Sequence, residues 1–262
     1  MKKKFLTITF LIAIFACIGL CGCLKREEPK DDMDIILERG KLIVGVRNDT
    51  APFGFTDANG NLAGYDIDLA KKITKSIFGT EDKLELVPVT ASNRIMKLSS
   101  GQVDMLIATM TMTQQRMAIL DFSIPYYIAG QAILVKKSSP YTNLKEFKGK
   151  RLIVVYGSTS EQNLRMNAPE VDIVGYKTYK EAFKALTEGK AEGVVADDTI
   201  LIGYAQKDSS VKILPYRYTR EPYAVAFRKE TESEQLKDRV DYIIQYLQGT
   251  GKLERMQEKW GL

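Results

Sequence analysis

Apolar positions come in short bursts along most of this chain, each about the length of one strand. "KLIVGVR" (Lys41 to Arg47), "LELVPV" (Leu84 to Val89) and "VDMLIA" (Val103 to Ala108) are three such runs. "QAILVKK" (Gln131 to Lys137), "RLIVVY" (Arg151 to Tyr156) and "EGVVA" (Glu192 to Ala196) are three more. Between them the period changes. In "DIDLAKKITKSI", Leu69, Ile73 and Ile77 recur four apart, which predicts a helix with Asp66 as its N-cap. Further helices are predicted over "SNRIMKLSSG" (Ser92 to Gly101), "TSEQNLRM" (Thr159 to Met166), "TYKEAFKALTEG" (Thr178 to Gly189) and most of Glu232 to Trp260. Strands alternating with helices imply α/β layers, and no repeat of fixed period interrupts them.

The first residues follow another rule. Lys2, Lys3 and Lys4 precede an uncharged apolar run from Phe5 to Leu20, the pattern of a signal peptide. A membrane anchor is the competing reading, although a spanning helix needs about 20 apolar residues. "LCGC" (Leu20 to Cys23) resembles the bacterial lipobox, which implies removal of residues 1–22 and acylation of Cys23. The next stretch, "LKREEPKDDMD", is too charged to bury a core, so residues 23–37 are expected to form a solvated tether.

Cleavage there changes the charge. The full chain has 38 Lys+Arg against 33 Asp+Glu, and losing Lys2, Lys3 and Lys4 leaves 35 against 33. That near balance gives no basic surface for nucleic acid. Cys17, Cys21 and Cys23 all lie at or before the cleavage point, so no disulfide framework remains. With no histidine, Ser-His-Asp and Cys-His catalysis and the His-based zinc motifs are excluded. No metal or cofactor is expected.

Two further motifs are weak. "GTGK" (Gly249 to Lys252) lacks the rest of a phosphate loop and reads as a break between helices. Asp197-Asp198 reads as one functional aspartate and one helix cap.

The remaining candidates share an address. In open α/β sheets, ligands bind beyond the carboxyl ends of strands. Arg47, Arg94, Arg116 and Asp197 each follow a predicted strand, and Thr159 and Ser160 open a helix after another. "TMTMTQQR" (Thr109 to Arg116) adds hydroxyls and backbone donors beside an arginine.

These pieces resemble a known family. "GKLIVGVRNDTAPFGF", "GNLAGYDIDLAKKI", "GQVDMLIATMTMTQQRMAILDFSIPYY", "YGSTSEQNL" and "EPYAVAFRK" occur in the order seen in extracytoplasmic solute-binding proteins (family 3), which deliver polar amino acids to ABC importers. The resemblance covers nearly all of residues 38–262. It implies an α/β, two-lobed periplasmic-binding-protein fold (type II). Lobe 1 would be 38–128 plus 225–262 and lobe 2 would be 129–224, joined by two hinge strands.

By the same resemblance, Arg116 takes a ligand carboxylate with Thr111, Thr159 and Ser160, while Asp197 and the Thr109 carbonyl take the ammonium. Tyr65 would lie over the ligand's aliphatic part. Thr50 stands where many members carry a second aromatic clamp, leaving a thinner apolar wall. Arg47 and Arg94 would be surplus cations, the pattern of members that bind acidic amino acids, so L-glutamate or L-aspartate is expected. If one of them pairs with a nearby acid such as Asp49, a glutamine site results. The implied protein is a monomer, lipid-anchored outside the cytoplasm, with ABC permease subunits as partners. A dehydratase-like enzyme on the same fold is the alternative from another class. A receptor's sensor module would need a signalling domain, which this sequence does not contain.

Overall fold

In the computed structural model, which describes residues 31–229 and 234–262, each of two five-stranded sheets is built on strict alternation. Leu42, Val44 and Val46 of β1 (Leu42–Val46) face one core, together with Met105 and Ile107 of β6 (Met105–Ile107). Ile43 and Leu106 face the core on the opposite side. Successive side chains of a strand point to opposite faces, so a sheet covered on both sides needs apolar residues at nearly every position.

The first sheet runs β5–β1–β6–β15–β7, with β5 at Leu84–Pro88, β7 at Leu120–Phe122 and β15 at Ala226–Arg228. β1 pairs parallel to β5 and β6, while β15 runs antiparallel to β6 and β7. The second sheet runs β11–β10–β12–β9–β13 and repeats this plan. Its strands are β9 (Gln131–Lys136), β10 (Arg151–Val155), β11 (Asp172–Tyr176), β12 (Gly193–Asp197) and β13 (Val211–Ile213). β10 is parallel to β11 and β12, and β9 is the antiparallel fourth strand. In both sheets that fourth strand belongs to a chain segment arriving from the other lobe.

The crossings are β8 (Tyr127–Ala129) and β14 (Glu221–Tyr223), which pair antiparallel with Tyr127 opposite Tyr223. A small sheet of β2 (Asp49–Thr50), β3 (Gly54–Thr56) and β4 (Leu62–Ala63) extends lobe 1. The fold is therefore a two-lobed α/β clamshell.

Nine α-helices and a short 3-10 helix (Leu144–Phe147) accompany the sheets among the described residues. The α-helices are α1 (Asp32–Arg39), α2 (Tyr65–Phe78), α3 (Arg94–Ser99), α4 (Gln114–Met117), α5 (Thr159–Asn167), α6 (Tyr179–Thr187), α7 (Asp198–Ala205), α8 (Glu234–Gly249) and α9 (Lys252–Trp260). The break between α8 and α9 falls at Gly251, whose φ of 63° suits glycine.

Two expectations need correction. The charged stretch is not a tether as far as residue 37: α1 starts at Asp32, capped by Asp31, and buries Met33 and Ile36 in the lobe 1 core. The predicted signal peptide, Cys23 and the first part of that stretch lie outside the described residues. Asp66 is not the N-cap of α2. Gly64 holds that position at φ 130°, where a Cβ would sit 2.0 Å from the Phe53 carbonyl oxygen. Asp66 is instead buried in the first turn and accepts from Tyr126 Oη (2.9 Å) and Thr109 N (3.0 Å).

Candidate functional site

Six strands deliver the site, each from its carboxyl end. Arg47 follows β1; Ala91 and Arg94 follow β5; Thr109 and Thr111 follow β6. From lobe 2, Ser158 and Thr159 follow β10, Tyr179 follows β11, and Asp197 ends β12. With Ile200 these residues line a narrow cavity between the lobes. A larger cavity behind α5, lined by Gln131, Leu144, Asn167 and Tyr218 among others, contains none of these charged groups.

The Thr109–Thr113 segment runs beside the hinge. Met112 N donates to Pro222 O (2.8 Å), and Ala224 N donates to Met110 O (3.1 Å). Thr109 adopts φ 46°, a left-handed conformation disfavoured for a β-branched residue. The Asp66 carboxylate on its amide helps hold it there. Backbone strain of this kind persists where the surroundings over-determine it, commonly at binding sites.

Arg116 is buried at the end of this segment. Its Nη1 donates to Thr111 O (2.8 Å), and its Nη2 crosses to Gly157 O of lobe 2 (3.2 Å). Opposite, Ser158 caps α5 by accepting from Glu161 N, so the helix presents the backbone of Thr159 and Ser160 at its amino end. A helix N-terminus and a forked guanidinium are both receptors for an anion.

Asp197 is the facing carboxylate. Its Oδ2 accepts from Tyr223 Oη (2.5 Å). Its Oδ1 is buried with no hydrogen-bond partner among the described residues. Burial, and then the neighbouring Glu221 charge, push its pKa up to about 7. Glu221 is itself buried, accepting from Thr159 Oγ1 (2.9 Å) and Asn163 Nδ2 (3.3 Å). Arg94 Nη1 donates to Ala108 O (2.6 Å), and its Nε, like Ser160 Oγ, is buried without a partner. Burial, then the Arg116 and Arg47 charges, lower Arg94 to about 9. Two residues of the cavity wall, Arg94 and Asp197, thus each carry a buried unpartnered polar atom, which marks a site shaped for a polar ligand.

Of the residues expected from the sequence, Arg47, Arg94, Thr109, Thr111, Thr159 and Asp197 line the cavity, Arg116 and Ser160 lie beside it without lining it, and three further readings change. Tyr65 does not reach the cavity. It is fully buried in the lobe 1 core, edge-on to Phe53, with its hydroxyl donating to Tyr126 O. Thr50 also turns inward, donating to Gly54 O, and the apolar wall comes instead from Tyr179 and Ile200 of lobe 2. Arg47 is not a free cation. Its Nη2 and Nε both donate to Asp49 Oδ1 (2.5 and 3.0 Å), and it lies 5.6 Å from the Tyr179 ring centre.

Sequence reasoning missed Tyr179, Glu221 and Tyr223. Tyr179 was findable: Thr178 and Glu181 form a capping box, which sets Tyr179 at the first turn of a helix. Among the described residues no group of three or more His, Cys, Asp or Glu could hold a metal ion, and no helix is long and apolar enough to cross a membrane.

A two-lobed clamshell with anion receptors on both lobes and a carboxylate facing the cleft has the architecture of a solute receptor. The chain belongs to the bacterial extracellular solute-binding proteins, family 3, whose model matches residues 42–262. It is 35% identical to the ABC transporter glutamine-binding protein of Bacillus subtilis (strain 168), over 98% of this chain and 97% of that protein. It is 38% identical to the glutamine-binding protein of Geobacillus stearothermophilus, over 85% and 92%. The crystal structure of an ancestral amino acid-binding protein, a precursor of cyclohexadienyl dehydratase, superposes with a TM-score of 0.80 at 34% identity. That match covers 87% of this chain and 98% of that one.

Proposed function

We propose that this protein captures L-glutamine by closure of its lobes and presents it to the permease subunits of an ABC importer. Arg116, Thr111 and the amino end of α5, at Thr159 and Ser160, receive the α-carboxylate. Asp197 and the Thr109 carbonyl receive the ammonium. Lobe 1 supplies Arg116, Thr111 and Thr109 and lobe 2 supplies Thr159, Ser160 and Asp197, so binding favours closure. A single chain provides both halves of the cleft, which suits a monomer.

The observation that carries the choice of glutamine is the Arg47–Asp49 pair. With Arg47 engaged, the other buried charges around the cleft are Arg94 and Arg116 against Asp66, Asp197 and Glu221, so the carboxylates already outnumber the cations. A ligand with an uncharged side chain adds no further anion. Burying an unpaired charge is costly, so an extra carboxylate would need a cation of its own. The two relatives named as glutamine binders support the same choice, against the acidic ligand expected from the arginine pattern.

The second reading is L-glutamate, favoured by the unpartnered Arg94 Nε. Calorimetric titration with both ligands decides: glutamine should bind tighter, and tighter glutamate would overturn the assignment. An enzymatic role would need a base within reach of the substrate's reactive proton. Asp197 is the cleft carboxylate with an unpartnered oxygen, and it is committed to the ammonium. Incubation with glutamine or dehydratase substrates should return them unchanged.

Anchoring through diacylated Cys23 completes the proposal, because two acyl chains hold a protein at a membrane where one does so only marginally. Cys23→Ala should release the protein into the soluble fraction.

A further inference from the structure

Asp49 uses each of its carboxylate oxygens differently. Oδ1 accepts from Arg47 on its own lobe, through Nη2 at 2.5 Å and Nε at 3.0 Å. Oδ2 reaches across the cleft to accept from Tyr179 N at the start of α6 (3.2 Å). The Asp49 carbonyl also accepts from Tyr204 Oη (3.4 Å). Arg47 is almost fully buried, so Asp49 is its only ion-pair partner within reach among the described residues. Arg47 lines the ligand cavity, whereas Asp49 does not.

We propose that Asp49 sets side-chain specificity without touching the ligand, by masking the charge of Arg47 so that the closed cleft disfavours a side-chain carboxylate. This rests on the glutamine reading above. Specificity is a difference of affinities, and a masked cation removes the partner that an anionic competitor would need. In this closed arrangement Tyr179 N at the start of α6 also engages Asp49 Oδ2, so both oxygens of the masking carboxylate are held.

The substitution that separates charge from shape is Asp49→Asn. Its carbonyl oxygen can still accept from Tyr179 N, so the contact between lobes survives while the negative charge is lost. Calorimetry with L-glutamine and L-glutamate would be run on wild type, Asp49→Asn and the double variant Asp49→Asn/Arg47→Gln. Wild type should prefer glutamine. Asp49→Asn should shift the glutamate-to-glutamine affinity ratio toward glutamate by at least tenfold, and the double variant should lose that shift. An unchanged ratio in Asp49→Asn, with wild type still preferring glutamine, overturns the masking role and leaves the ligand assignment standing. A shift that persists without Arg47 also overturns it. Wild type preferring glutamate refutes the ligand assignment, and masking with it. Thermal melts of all three proteins confirm that each is folded at the titration temperature.

Discussion

Tyr223 Oη lies 2.5 Å from Asp197 Oδ2, a hydrogen bond from a hinge strand to the carboxylate that faces the cleft. Tyr223 also packs edge-on against Phe53 of lobe 1, so one side chain touches both lobes and the group proposed to receive the ligand's ammonium. The bond fixes one oxygen of Asp197 and leaves Oδ1 for the ligand. It favours the ionised carboxylate, yet burial and Glu221 outweigh it and hold the pKa at about 7.

A pH dependence follows. The ammonium requires an ionised Asp197, so binding below about pH 7 must first expel a proton. Affinity should be flat above that pH and fall about tenfold for each unit below it. At pH 6 binding should release close to one proton, seen as a calorimetric enthalpy that varies with the ionisation heat of the buffer. An enthalpy independent of buffer would place the ammonium elsewhere.

Arg116 carries the carboxylate in this scheme. Arg116→Ala would leave a buried carboxylate without its charged partner, a loss of about 2–5 kcal/mol. Affinity should fall roughly 30-fold to several thousand-fold. It would also remove the bond to Gly157 O, so part of the loss is a weaker closed state. Equilibrium titration measures it, and a change under threefold would leave Arg116 a structural residue only.

The alternating runs from Leu42 to Val46 and from Arg151 to Val155 made both sheets legible, because a two-sided core forces apolar residues onto every position of a central strand. β11 was missed: "DIVGY" carries an exposed Asp172, a glycine at its fourth position and otherwise only partly buried side chains. Strand ends bring Arg94, Thr109, Thr159 and Asp197 to one cavity wall, with Arg116 beside it on Thr111 O and Gly157 O. Partnership was harder to read. Whether Arg47 meets the ligand or Asp49 depends on side-chain geometry that spacing does not encode. Tyr65 illustrates the same limit, since a helix's first residue can face cleft or core.

Closure depends on two glycines where the lobes touch. A Cβ on Gly203 of α7 would lie 2.1 Å from Ala51 O, and one on Gly157 would lie 2.8 Å from Ala91 O. Gly203 sits in helical backbone, so Gly203→Ala adds helix propensity rather than strain within its own lobe. It should obstruct closure while the lobes stay folded. Ligand affinity should fall at least tenfold, and small-angle scattering with saturating glutamine should show a larger radius of gyration than liganded wild type. Equal radii would mean that the lobes slide past one another instead of meeting at this contact.

Glu221 offers a way to move the pH response without touching the ligand. Its buried carboxylate accepts from Thr159 and Asn163, and its charge is the second-largest influence raising Asp197, after burial. Glu221→Gln keeps an oxygen for Thr159 Oγ1 and removes the charge. With a negative neighbour gone, ionising Asp197 becomes easier and its pKa falls. The acid limb of the binding profile should therefore shift to lower pH. At pH 6, where wild type is mostly protonated at Asp197, the variant should bind relatively better than wild type. At pH 8, where Asp197 is ionised in both, that advantage should vanish, leaving only the lost attraction between Glu221 and Arg116. A structural defect would lower affinity equally at both values. A profile that weakens without shifting along the pH axis would remove Glu221 from the control of Asp197.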